Sequence, residues 1–433
     1  MKRTNETVRA RSSGPCHARA ALAPARTFVV SALTAVGVLS AARSSAAADP
    51  VACSTLTENP IVIESGDTQE PLLKSLGRKL REFTAAPMTV IYKTTGTCAV
   101  ATDLYGSKKI PSGTILKYMT AGSDVPLECS VDAAGGLPID LGIGATFISS
   151  CNLQKPDTVG LITGPVQGYG FAVPKNSPQD AITAEEGYFA FGNFGAQGNA
   201  QPWVDKEQRF VRGPTKSTAL TLAAAIGIAP VTKLIGWDLS VDPTVRDSSA
   251  GVLNALISTP SPEKAIGLLG TEIFDANRDK VKLLAFRAAK QRYAYYPDST
   301  PTSFDKRNLR DGHYFPWSPT VYIAPVAPGG DPAQPVPSKA VTKRFVELVL
   351  GHTPATDLDG LSVVVSKGLV PNCAMKVTRP ADGAPLSTFE HPEPCGCYYE
   401  AKVPNGSTSC KACDGSDNAC NGGKCRHGYC EAR

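Results

Sequence analysis

Residues 210–220 read "FVRGPTKSTAL". Arg212 leads through a Gly-Pro turn to Lys216-Ser217-Thr218 and then a helical run. These are the residue types an anion site needs: fixed positive charge, hydroxyl donors, and a helix start whose first N–H groups lack partners within the helix. Two other segments share the layout of strand, hydroxyl-rich loop and helix start. They are Ser65-Gly66-Asp67-Thr68 and Thr94-Thr95-Gly96-Thr97. A helix N-terminus binds an oxyanion readily. Several converging on one point would surround an anion without a metal. Each loop alone is also an ordinary helix cap, because Ser, Thr and Asp are preferred there. Recurrence in one chain is what raises the expectation of a site.

Other chemistries fit less well. A nucleotide-binding loop needs Gly directly before its Lys and another Gly five residues earlier. Those positions hold Thr215 and Phe210. There is no G-x-S-x-G elbow and no H-E-x-x-H pair. Beyond the first segment the histidines are His313, His352, His391 and His427, in polar or turn contexts that suggest no pairing. "DANRD" (275–279) has a calcium-like D-x-N-x-D spacing but lacks the loop Gly and final Glu, so a turn and cap is expected. No enzyme activity, cofactor or metal is expected.

Elements that would carry the three loops can be read from hydrophobic spacing. Strands are expected at 60–64, 88–93, 114–119, 139–147, 168–176, 208–213 and 320–326. Helices are expected at 70–83, 98–106, 183–192, 216–227 and 339–351, the first with Pro71 in its opening turn. This alternation argues for an α/β fold with a mostly parallel sheet covered on both faces. After about 373 the periodicity stops, and Cys, Gly, Asn and Asp dominate. The stretch 373–433 reads as a small disulfide-held module that could not bury a core unaided.

The chain of 433 residues has a formal net charge of +5, but the excess sits at one end. Residues 1–48 hold seven basic residues and one acid; without them 37 basic face 38 acidic residues. No nucleic-acid partner is expected. An apolar run at 28–42 follows an Arg-studded start and precedes "SSAAA". It is too short for a bilayer span and has the form of a signal peptide cleaved near Ala48. Cysteine usage agrees with export. Of thirteen, Cys16 falls in that segment and twelve remain, eight of them in the last 61 residues. An even, spaced set in an oxidising compartment reads as disulfides. "CKAC" (410–413) could be half a zinc site, but no second CxxC pair answers it.

Taken in order, these segments resemble the PstS-like phosphate-binding proteins of bacterial ABC importers, within the type 2 periplasmic binding proteins. The likeness covers roughly 58–372. "SGDTQEPLL" stands where that family has a Gly-Ser-Ser-Thr loop, and "TTGTCAVATDLYG" where it has a Gly-Ser-rich helix start. "IDLGIGATF" resembles its "DFGxSD" strand, and "FVRGPTKSTAL" its Arg-x-x-x-Ser-Gly-Thr segment. "KAIGLLG" and "DGHYFPW" resemble its "AIGY" and "YP" stretches.

The resemblance implies a two-lobed type 2 periplasmic-binding-protein fold. Lobe one would be 54–160 with 280–372, lobe two 161–279, and the Cys-rich tail 373–433. A phosphate-like oxyanion would sit in the cleft, held by Ser65, Thr68, Thr97, Thr146, Arg212, Lys216, Ser217 and Thr218. The protein would be a monomer in the periplasm or at the cell surface, with an ABC permease as partner. Two departures matter. Lys216 and Ser217 replace the motif's Ser and Gly, and Gly144-Ala145 replace the "SD" that supplies an acidic acceptor. Both tilt the expected ligand towards a fully ionised or larger acidic anion. The alternative is a secreted or surface interaction protein on the same scaffold that has lost tight anion binding.

Overall fold

A computed structural model describes residues 49–192, 200–228, 245–327, 329, 331, 334–354 and 356–431. The signal-like segment and Cys16 lie outside the described residues. Strand β1 (Pro60–Gly66) is buried from Ile61 onward. A strand covered on both faces reads as a continuous apolar run, as "IVI" does. It leads through a single turn into α1 (Glu70–Glu82), whose Leu72, Leu73, Leu76 and Leu80 are buried at helical spacing. β2 (Thr89–Thr95) then feeds α2 (Thr97–Tyr105). β3 (Ile115–Tyr118), β4 (Leu127–Ser130) and β5 (Leu141–Gly144) follow. β1 pairs in parallel with both β2 and β5.

β6 (Val159–Pro174) runs for 16 residues. α3 (Ala184–Phe191), β7 (Arg209–Arg212), α4 (Ser217–Ala225) and α5 (Ser249–Ser258) come next. β8 (Ile266–Gly270) pairs in parallel with β7, which also pairs in parallel with the short strand Val245–Arg246. The two parallel cores are joined by antiparallel neighbours, β6 and β9 (Trp317–Pro325). β9 also pairs with β5, and β6 with β8. One hydrogen-bonded sheet of twelve strands results among the described residues. The fold is mixed α/β, with helices on the sheet's faces.

The first half of β6, "VGLITGPVQ", was not legible as a strand, because Gly160, Gly164 and Pro165 interrupt its apolar run. Packing gives the reason for Gly164. A Cβ there would stand against the Tyr322 ring and the Thr320 hydroxyl of β9. Only a bare backbone lets the two long strands approach so closely.

All twelve remaining cysteines are paired. Cys53–Cys129 and Cys98–Cys151 brace the first half of the chain. Cys373–Cys395, Cys397–Cys410, Cys413–Cys425 and Cys420–Cys430 tie the tail. The two cysteines of "CKAC" thus go to different partners. The Cys413, Cys420 and Cys430 sulfurs cluster, but each is already bonded to another sulfur.

The tail is also part of the body's core. Its helix α10 (Gly396–Lys402) follows α6 (Thr271–Asp275), α7 (Arg307–Arg310), α8 (Ala340–Leu350) and α9 (Gly360–Ser366) of the preceding chain. Tyr398, Tyr399 and Val403 share one apolar cluster with Phe171, Trp203, Trp317 and Val370. Tyr399 is 1% exposed, and the Arg310 guanidinium lies 4.9 Å over its ring. The truncation Tyr399→Ala is therefore expected to destabilise the whole protein by about 3–5 kcal/mol. Denaturant unfolding followed by tryptophan fluorescence should show one shifted transition. A separate tail transition with the main one unmoved would contradict the shared core.

Candidate functional site

The ends of β1, β2, β5 and β7 carry the residues singled out by sequence. Asp67 follows β1, and Arg212 closes β7. The pair meets in a two-pronged ion pair, Nη1 to Oδ2 at 2.8 Å and Nη2 to Oδ1 at 3.1 Å. Arg212 is 0% exposed. Its other donors reach the Arg246 carbonyl (3.1 Å), the Asp247 carbonyl (2.9 Å) and the Ser249 hydroxyl (2.7 Å). A guanidinium has five N–H donors, and all five have protein partners. Arg212 accordingly fastens three segments together and offers no unpaired edge. Burial works to raise the Asp67 carboxyl, but Arg212 and the Ser249 amide outweigh it and hold it below the ordinary range.

Lys216 stands just before α4 and reaches across to β2. Its Nζ donates to the Thr95 carbonyl at 2.5 Å, and its stem lies against Gly96. Burial, seconded by the Arg212 charge, lowers its pKa. Thr68 and Thr97 face the same bare backbone. A Cβ on Gly66 would lie 3.9 and 3.6 Å from their hydroxyls. Thr97 also accepts the Ala145 amide at 3.1 Å. Thr68 Oγ1 and Thr218 Oγ1 are buried with no hydrogen-bond partner. Ser217 lies beside the Tyr169 phenol, which donates to the Ala145 carbonyl. Ser65 turns to its own strand, donating to the Gly66 carbonyl at 2.9 Å. So Thr68, Thr97, Arg212, Lys216, Ser217 and Thr218 are brought together around the strand ends, while Ser65 is engaged with backbone.

Thr146 marks a second polar cluster. It donates to Asp382 Oδ2 at 2.6 Å, accepts from Ser318 at 3.3 Å and shares a hydrogen bond with Thr221 of α4 at 3.1 Å. Ser150 donates to the same Asp382 oxygen at 2.6 Å. The acidic group that Gly144 and Ala145 do not supply is therefore delivered from the tail. Nothing in the local sequence around "PADGAP" signals this.

A third feature, also missed, is a buried polar line. Gln69 Nε2 donates to Gln167 Oε1 at 2.5 Å, and Gln167 Nε2 to Glu272 Oε2 at 2.6 Å. Burial pushes the Glu272 carboxyl up to about 8, so it is protonated at neutral pH. Gln69 Oε1, Thr271 Oγ1 and Glu272 Oε1 have no hydrogen-bond partner. The one available signal was Gln167, a polar residue inside a buried strand.

No family model matches the chain, and no curated protein does. Similar solved structures include a putative phosphate ABC transporter substrate-binding protein with bound phosphate from Clostridium perfringens. It is 13% identical, with 72% of this chain and 99% of that chain covered and a TM-score of 0.45. An ABC-type phosphate transport receptor from Vibrio cholerae is 14% identical over the same shares, with a TM-score of 0.41. PstS from Borrelia burgdorferi is 13% identical, again over 72% and 99%, with a TM-score of 0.38.

Two outcomes are expected from this geometry. Asp67→Asn leaves the buried Arg212 charge uncompensated and should cost about 3–5 kcal/mol in denaturant unfolding, whereas adding Arg212→Gln should recover part of it. Glu272 binds its proton more tightly folded than unfolded. Its contribution is full below its ordinary value of 4.5 and declines as pH rises to about 8. Stability should fall across that window by at most about 1.4 kcal/mol per pH unit, and Glu272→Gln should flatten the slope.

Proposed function

We propose that this chain is an exported solute-binding protein that takes phosphate or a similar small oxyanion between two lobes. The lobes would be 54–160 with 280–372 and 161–279, closing by a hinge. The observation that carries this reading is the pair of buried, unpartnered hydroxyls, Thr68 and Thr218, beside Lys216 at converging strand ends. Buried polar groups are nearly always paired. Two buried donors left open, on Thr68 next to Asp67 and on Thr218 two residues past Lys216, are what a bound oxyanion would complete. Ser217 and Thr97 border the same place, and Thr146 lies next to it.

Six disulfides support an oxidising compartment, in keeping with a cleaved leader at 1–48 and a periplasmic or cell-surface location. Handover to an ABC permease by a monomeric carrier fits this reading. No covalent chemistry is proposed.

A second reading is an interaction protein on the same scaffold without tight anion binding. It is favoured by Arg212, whose donors Asp67 and neighbouring groups already take. The two readings separate in a thermal-unfolding assay with phosphate, sulfate and small carboxylates. A ligand at a hundredfold excess over its dissociation constant should add about 2.7 kcal/mol of stability. No shift with any of them would select the interaction protein.

A further inference from the structure

The C-terminal segment after Cys373 contributes two charged groups whose bonding is incomplete. Arg379 is 4% exposed. Its flat faces are covered, with Cζ 4.1 Å from the Trp317 ring centre and 5.0 Å from that of Phe315. Nη1 donates to the Phe315 carbonyl at 3.1 Å. Nε and Nη2 are buried and have no hydrogen-bond partner. These two nitrogens form one edge of the guanidinium, the edge that grips an oxyanion with two parallel hydrogen bonds. Burial draws the group down to about 10, and it stays cationic at neutral pH.

Asp382, three residues on, is the matching half. Its Oδ2 is held by Thr146 and Ser150, and its Oδ1 is buried with no partner. The two groups feel each other's charge, yet no ion pair joins them among the described residues. A positive edge and a carboxylate oxygen three residues apart in the chain, both unpaired, define complementary requirements. The positive edge needs an anionic oxygen; the carboxylate oxygen needs a hydrogen-bond donor. Trp317 and Ser318 connect this place to the strand ends, since Ser318 donates to Thr146.

We infer that Arg379 and Asp382 recognise the ligand, and that the ligand is a small oxyanion carrying a hydrogen-bond donor of its own. Its charged oxygen docks on the Nε–Nη2 edge of Arg379, and its O–H donates to Asp382 Oδ1. This rests on the oxyanion-binding reading above and assigns specificity within it. The tail then is a wall of the ligand site, and Arg212 is not the residue that meets the anion. Monohydrogen phosphate and a short hydroxycarboxylate such as glycolate both meet the requirement at neutral pH; sulfate has no proton to give.

Calorimetry on the full disulfide-bonded protein tests this with monohydrogen phosphate, glycolate and sulfate. Phosphate or glycolate should bind at least roughly tenfold tighter than sulfate, because an acceptor left facing an acceptor is rejected. Arg379→Lys keeps the charge but loses the fork and should weaken the better ligand roughly tenfold or more. Asp382→Asn, on a partly exposed turn, should abolish the preference over sulfate. It serves as the deciding variant if melting of the unliganded protein shows that Arg379→Lys does not fold. Equal binding of sulfate, or variants that bind as the wild type does, would overturn the assignment while leaving anion binding intact. Failure of the wild type to bind any of the three would overturn the oxyanion reading and this assignment with it.

Discussion

The pairing of Asp67 with Arg212 is the constraint that orders the centre of this molecule. A fully buried guanidinium cannot be left without a counter-charge. Here it receives one carboxylate, two carbonyls and one hydroxyl, so that every N–H is used. Those partners belong to segments 145 and 37 residues away from it. Wherever β7 ends, the turn after β1 and the start of α5 must follow. Thr68, next to Asp67, and Lys216, four residues beyond Arg212, inherit their positions from that bond. The Cys98–Cys151 disulfide does the same service for Thr97 and Ser150.

Around this clamp the interior divides by polarity. The sheet faces pack in ordinary apolar clusters under α1, α4, α5 and α8. The strand ends instead carry two polar networks. One runs from Gln69 through Gln167 to Glu272, the other from Thr146 to Thr221, Ser318 and Asp382. Hydrogen bonds there are strong because water is excluded, and an open donor or acceptor is costly for the same reason. Thr68, Gln69, Thr218, Thr271, Glu272 and Asp382 carry open groups in this region, and Trp203, Tyr322 and Thr342 carry others elsewhere in the interior.

The Cys-rich end is integrated with the body. α10 fills the main apolar cluster, and Arg379 stacks on Trp317 of β9. A segment that looked too small to hold a core on its own solves that problem by sharing the larger one. In doing so it brings charge to a region where the body's arginine is already neutralised.

Local rules were enough for much of the fold. Helical spacing located α1, α4 and α8, Pro71 marked a helix start, and the even cysteine set announced disulfides. These features depend on residues within a turn or two of one another, or on count alone. The three hydroxyl loops were visible for the same reason. The first half of β6 was hidden because its glycines answer to Tyr322 on another strand, not to their neighbours. The partners of Arg212 and Thr146 lie 145 and 236 residues away in the chain. Whether a given arginine is saturated or open depends on which oxygens the folded chain brings to it and how much water it removes. Residue types and spacing thus determined the elements and the kind of groups at their ends. Only the tertiary structure decided which charges cancel, because pairing and desolvation arise from contacts between segments remote in sequence.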